Sequence, residues 1–245
     1  MTAPATPAAL VIGAGGGTGG AIARRFAAGG YAACVARRDG AALDALCAQI
    51  AATGGAAHSF PLDARDEDQV VDMFARVEAE VGPLEVCVVN LGGNLRQPIA
   101  EMEAATYERI WRTTCFAAFL AGREAARRMT PRGKGTIIFT GATASLRGGA
   151  GFAAFAGAKH AKRALAQSMA RELGPQGIHV AHVVIDGIID TEAVKVRRPD
   201  LYADRVGCDA LLSPESIAEA YWQIHRQPRD AWTFETDLRP WAEPW

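Results

Sequence analysis

Residues Ala8–Phe26 read AALVIGAGGGTGGAIARRF. The opening apolar run, Ala8–Ile12, has no polar alternation, which predicts a short strand buried on both faces. Ile22 and Phe26 lie four residues apart, so they share one face of a helix, and Gly29-Gly30 ends it. Between strand and helix runs a glycine-rich turn carrying Gly13, Gly17, Thr18 and Gly19. Glycine permits the tight turn, lets the backbone approach a diphosphate, and leaves bare N–H groups and a helix N-terminus facing the anion. A glycine triplet alone is a weak signal. Placed between a strand and a helix near the start of the chain, it predicts a dinucleotide cradle.

The next strand, expected over Tyr31–Val35, ends in Ala36-Arg37-Arg38. A cradle for NAD usually places an acid there, on the ribose hydroxyls. With no carboxylate at that point, Arg37 and Arg38 can take a 2′-phosphate through charge-assisted hydrogen bonds. The sequence therefore favours NADP(H) over NAD(H).

The remaining chain repeats the alternation. Strands are expected over Ala57–Leu62, Leu84–Val89, 136–140, Ile178–Ile185 and Ala231–Leu238. Helices are expected over Ala41–Ile50, from Asp66 to Val81, over Ala104–Met129, over 152–173 and from Ser213-Pro214. Asp66 and Gln69 have the spacing of a capping box, and Gly82-Pro83 stops the helix they open. Alternating strands and helices predict an α/β fold: a single-domain, Rossmann-like doubly wound parallel sheet with helices on both faces, over residues 9–245. Residues 1–8 are expected to be a flexible N-terminal tail. The stretch 190–212 is long for a connection, so it is a substrate lid or partly helical.

Composition narrows the function. The chain has 245 residues, 49% of them apolar, and a formal net charge of −1, which suggests neither a nucleic-acid nor a membrane surface. Cys34, Cys47, Cys87, Cys115 and Cys208 show no metal-ligand spacing, so no metal is expected, and unpaired cysteines fit a reducing, cytoplasmic location.

These features together resemble the short-chain dehydrogenase/reductase family. Gly13, Gly17 and Gly19 match its G-x-x-x-G-x-G turn, although Ile12 stands where a threonine often precedes it. The resemblance implies an adenine contact for Asp63 and aligns VNLGG (89–93), with Asn90 and Gly92, to the family's N-N-A-G run. Gly187, Ile189 and Thr191 fall in the segment that caps the nicotinamide pocket, with Asp186 in place of its proline.

The same resemblance exposes a gap. The family's catalytic serine, tyrosine, lysine and asparagine fall on Ala142, Phe155, Lys159 and Thr114, so only Lys159 is retained. In the family, lysine lowers the tyrosine's pKa and holds the ribose, serine orients the carbonyl, and asparagine supports a water relay. The chain resembles an atypical branch with Phe for Tyr. Phenylalanine has no proton to give, so position 155 does no acid–base work. Water, a desolvated Lys159 or Asp186 can supply the proton instead, and Thr143 and Ser145 can orient an oxygen. His160 adjoins Lys159 but points about a hundred degrees round the helix. Two readings stay open: an oxidoreductase acting on a small, largely apolar carbonyl or enoyl molecule, and an NADP(H)-binding sensor or subunit without turnover. The Ala- and Gly-rich helices over Cys115–Ala126 and Ala153–Met169 suggest a homodimer or homotetramer. Trp232, Trp241 and Trp245 offer a second interface.

Overall fold

The computed structural model describes residues 6–243. Seven strands form one parallel sheet: β1 Ala8–Ile12, β2 Ala32–Arg37, β3 Ala57–Pro61, β4 Leu84–Val89, β5 Gly135–Thr140, β6 Ile178–Ile185 and β7 Glu235–Leu238. Their order across the sheet is β3-β2-β1-β4-β5-β6-β7. Along β1, Leu10 and Ile12 point into one core while Ala9 and Val11 point into the other. That two-sided burial is why the strand reads as an unbroken apolar run.

Helices α1 Thr18–Ala28, α2 Gly40–Ala52 and α9 Pro214–His225 cover one face. On the other lie α3 Glu67–Arg76, α5 Ala117–Met129 and α6 Ala153–Leu173, with α4 Ala104–Trp111 running into α5 through a π turn at Arg112–Phe116. Caps fix the starts: Asp39 accepts the N–H of Ala42, and Ser213 accepts those of Glu215 and Ser216 ahead of Pro214.

Strand order reverses between β1 and β4, and this switch point opens a crevice at the carboxyl ends of the strands. The register sets Ile12 beside Val89, and Val89 beside Phe139. The loops after β1, β4, β5 and β6 therefore converge on one edge.

The structure departs from the sequence expectations at several points. Ala8, given by the sequence both to the tail and to the first strand, belongs to β1 and is fully buried; residues 1–5 of that tail lie outside the described residues. Only half of the capping box forms. Asp66 accepts the Gln69 N–H at 3.2 Å, but the Gln69 side chain accepts from the Asp63 N–H and donates to the Asp66 carboxylate. The last strand is Glu235–Leu238, half the expected length. Trp232 stacks on His179 with ring centroids 4.9 Å apart, and the Thr233 N–H donates to Gln227 Oε1, so this stretch makes a turn instead of a ladder. Segment 190–212 is no departure: it is partly helical, as one of the two expectations had it, with α7 Glu192–Arg197 and α8 Pro199–Val206. Trp241 is exposed, and Trp245 lies outside the described residues.

Candidate active site

Two positions of the turn after β1, Gly13 and Gly19, admit only glycine. Gly13 has φ +90°, and a Cβ there would stand 2.3 Å from the Asn90 carbonyl oxygen. A Cβ at Gly19 would stand 2.4 Å from the Gly13 oxygen and 2.8 Å from Ala14 Cα. Asn90, at the end of β4, donates its side-chain N–H to the Gly13 oxygen at 3.1 Å and its backbone N–H to the Ile12 oxygen at 2.8 Å. Asn90 thus ties the turn to the sheet, while Thr18 is buried in the first turn of α1.

Beside this turn lies a crevice of about 370 Å³ lined by Arg37, Arg38, Asp63, Asn90 and Gly92. The Arg37 guanidinium lies over the loop, with NH1 2.7 Å from where a Gly15 Cβ would stand. Asp39, the acid nearest Arg37, is used as the cap of α2 and sits 3.6 Å from that guanidinium. Asp63 is gripped by Arg65 at 2.9 and 3.1 Å, and these hydrogen bonds hold its carboxyl below the usual range. The segment after β6 closes the far side: the Thr191 methyl is 2.9 Å from where a Gly17 Cβ would stand, and Thr191 also accepts the Val194 N–H to start α7. A glycine turn, a helix N-terminus and an arginine over the loop fit a phosphorylated dinucleotide.

The turn crevice continues into a larger cavity of about 560 Å³ between the β5 loop and α6. Ala142, Phe155, Lys159, Gly187 and Ile189 all line it. Lys159 is 4% exposed and donates to the Thr140 and Gly141 oxygens at 2.9 and 3.2 Å. Burial pushes its pKa down to about 8. Its Nζ lies 5.6 Å from the Phe155 ring centroid, so the phenyl ring covers the ammonium. Gly92 leaves a window: a Cβ there would lie 3.4 Å from Lys159 Cε.

The other candidates are committed elsewhere. Thr114 is fully buried and accepts the Gly93 N–H at 3.1 Å, bracing the β4 loop. Asp186, considered as an acid, is 2% exposed, accepts the Thr143 hydroxyl and pairs with Arg239 at 2.9 Å. The Thr143 and Ser145 hydroxyls are likewise engaged, Thr143 with Asp186 and Ser145 by accepting the Ala142 N–H at 3.1 Å. His160 is exposed and its Nδ1 faces the Ala156 oxygen.

Sequence reading missed Lys162. It is fully buried and donates to the Leu91 oxygen at 2.7 Å. Burial and the neighbouring Lys159 push its pKa well down. The signal was present in the spacing, because residues three apart share a helix face. Arg147 was missed too; it lines the cavity mouth after the β5 loop.

Residues 7–201 match the family described as short chain dehydrogenase. A solved structure, a short-chain dehydrogenase from Rhodopseudomonas palustris, is 44% identical with a TM-score of 0.83, over 97% of this chain and 100% of that one. The 1-deoxy-11-beta-hydroxypentalenate dehydrogenase of Streptomyces exfoliatus is 31% identical over 89% of this chain and 79% of its own. The cyclic-di-GMP-binding biofilm dispersal mediator protein of Escherichia coli (strain K12) is 34% identical over 85% of each.

Proposed function

The chain belongs to the short-chain dehydrogenase/reductase family of oxidoreductases, and on that premise we propose that it is an NADP(H)-dependent reductase of a small, largely apolar carbonyl or enoyl compound, working with a degenerate catalytic tetrad. The observation that carries the cofactor choice is the Arg37 guanidinium over the glycine turn, with its nearest acid, Asp39, 3.6 Å away and turned to cap α2. When bound, the dinucleotide supplies the hydride. The turn Gly13–Gly19 holds the diphosphate, Asp63 faces the adenine side, and Gly92, Gly187, Ile189 and Thr191 frame the nicotinamide side. The segment 190–212 acts as the lid.

The proton at the substrate oxygen comes from Lys159. The phenol is gone, and the Asp186 carboxylate is held by Arg239 and the Thr143 hydroxyl. An ammonium with a pKa of about 8 is poised to give a proton near neutral pH. The protein works as a homodimer or homotetramer in the cytoplasm. Phe119, 40% exposed on α5, supplies an apolar contact for such pairing, and no helix among the described residues is long and apolar enough to cross a membrane.

A second reading is a non-catalytic NADP(H)-binding sensor. It is favoured by Ala142 and Phe155, and by the likeness to a relative named for nucleotide binding and biofilm dispersal. Titration with NADPH, followed by absorbance at saturating cofactor on a panel of ketones, quinones and enoyl thioesters, separates the two. Binding with turnover supports the reductase, binding without turnover the sensor, and no binding overturns both.

A further inference from the structure

The large cavity carries charge of one sign. Its lining residues are mostly apolar or small, and the only charged ones among the described residues are Lys159 and Arg147. Lys159 sits at the floor, where its N–H groups are occupied by the Thr140 and Gly141 oxygens. Arg147 sits at the mouth with a side chain 53% exposed. Its backbone N–H donates to the Thr143 oxygen, which anchors the main chain and leaves the guanidinium able to swing. The carboxylate that pairs with it, Asp186, is 3.8 Å away, beyond hydrogen-bond distance, and already serves Arg239 and Thr143. Beside Arg147, nothing lies within 4 Å of where a Gly148 side chain would stand, so the mouth is open there.

A neutral apolar ligand entering this mouth would strip water from the guanidinium and return no hydrogen bond. A carboxylate would return two, charge-assisted and parallel, in the geometry a guanidinium fork is built for. The interior beyond, with Phe152, Phe155, Ala142 and Leu91, suits an apolar body. Lys159 adds a second positive charge at the floor.

We infer that the substrate is an apolar carbonyl compound bearing a carboxylate, and that Arg147 is the residue selecting that carboxylate at the cavity mouth. This rests on the reading of the cavity as the substrate site. In the bound pose the acid lies at Arg147 and the reacting carbonyl lies toward Ala142 and Lys159.

The test uses the full chain with NADP⁺ and a panel of aliphatic, alicyclic and aromatic keto acids, each beside its own methyl ester; 4-acetylbenzoate and methyl 4-acetylbenzoate are one such pair. Calorimetric titration reads the dissociation constants. The expected result is at least tenfold tighter binding of an acid than of its ester, lost in Arg147→Gln, with ester binding and NADPH binding unchanged. Because Arg147 is half exposed, an unchanged melting temperature checks that the variant is folded. Esters binding as tightly as acids, or no acid in the panel binding at all, overturns the inference. So does Arg147→Gln weakening NADPH instead, which would assign the guanidinium to the cofactor. If NADPH itself fails to bind the unaltered protein, the dinucleotide reading falls, while the acid-over-ester comparison in the empty cavity still decides the role of Arg147.

Discussion

Lys159 and Lys162 lie three residues apart on one face of α6, both buried inside the core and close enough that burial and the Lys159 charge together depress Lys162. The two residues are 4% and 0% exposed, and neither has a carboxylate partner among the described residues. His182 and the Cys115 thiol also face the pair; burial lowers the imidazole to about 4 and raises the thiol, so both are neutral near pH 7. Two ammonium groups in contact without water cannot both stay charged. Burial pushes both amines down and each charge opposes the other, so the pair carries one proton near neutral pH. Two of the Lys159 N–H groups reach the Thr140 and Gly141 oxygens.

Lys162→Met should stabilise the protein near neutral pH. The folded chain holds Lys162 well below its ordinary pKa of 10.5, whereas the unfolded chain does not. Between those two values the unfolded state binds more protons, so the stability of the unaltered protein rises with pH. The advantage of methionine is therefore largest at low pH and fades as pH approaches 10.5. We expect a melting temperature raised by about 2–4 °C at pH 7, the shift that roughly 1 kcal/mol makes in a domain of this size. The gap should close by pH 10 to 11. Lys159 loses the neighbouring amine that raises its pKa, so its midpoint should fall below about 8, read from the pH dependence of NADPH binding. A variant less stable at pH 7, or a gap that ignores pH, would show that Lys162 is not a neutral amine in the fold.

Arg37→Ala should weaken NADPH binding by roughly 1.5–3 kcal/mol, the range for hydrogen bonds to a charged group, and leave NADH nearly unmoved. Arg37 lies over the glycine turn, whereas Arg38 is exposed beside it, so Arg38→Ala should cost less. Fluorescence titration of both cofactors against both variants gives the comparison. Equal dissociation constants for NADPH and NADH in the unaltered protein would remove the premise.

Gly19→Ala tests the cradle directly. The new methyl would meet the Gly13 oxygen at 2.4 Å and Ala14 Cα at 2.8 Å, both backbone atoms that cannot rotate away. The turn must open, at a cost of about 1–3 kcal/mol typical of overpacking. Dinucleotide affinity should fall by far more than stability does. Gly16→Ala is the control, since nothing lies within 4 Å of its Cβ position. If both substitutions leave NADPH binding intact, the turn does not hold the diphosphate.

What the sequence made legible follows from what each signal encodes. Apolar runs, interrupted only by Glu85 in β4 and by His179 and His182 in β6, located β1, β4 and β6 to the residue, because strands buried on both faces leave no alternation to misread. β7 was overread because Ala231–Phe234 carries strand-like residues whose partners lie outside the ladder, at His179 and Gln227. The box at Asp66 was half right for a similar reason: Gln69 has a better partner in the Asp63 N–H. The turn glycines were legible because their chemistry is local. The commitment of Asp186 was not, since it depends on Arg239, some fifty residues away in the chain. Lys162 shows the limit most plainly. The spacing puts it beside Lys159, but only the packing of α6 against Leu91 reveals that it is buried.

The last expectation concerns Phe155. Its ring lies over the Lys159 ammonium at 5.6 Å, so a phenol there would have the cation already at hand to lower its pKa. Phe155→Tyr alone should nevertheless gain little. Ala142 offers no hydroxyl to orient a carbonyl, and Ser145 is fully buried outside the cavity lining. Thr114, also fully buried, does not line the cavity where a water would be held. Groups that act as a unit are strongly non-additive, so the pair Phe155→Tyr with Ala142→Ser is the informative variant. We expect the double variant to reduce simple ketones with NADPH at least tenfold faster than either single variant, about 1.4 kcal/mol of transition-state stabilisation over the better of the two. The pH profiles should part as well. In the unaltered protein, reduction should fall as pH rises through about 8, where Lys159 loses its proton; a working phenol should hold the rate to higher pH. If Phe155→Tyr instead abolishes turnover that the unaltered protein performs, the phenyl ring is part of the working site. Lys159→Met then decides the donor: loss of all turnover names the lysine, and a residual rate independent of pH near 8 names water.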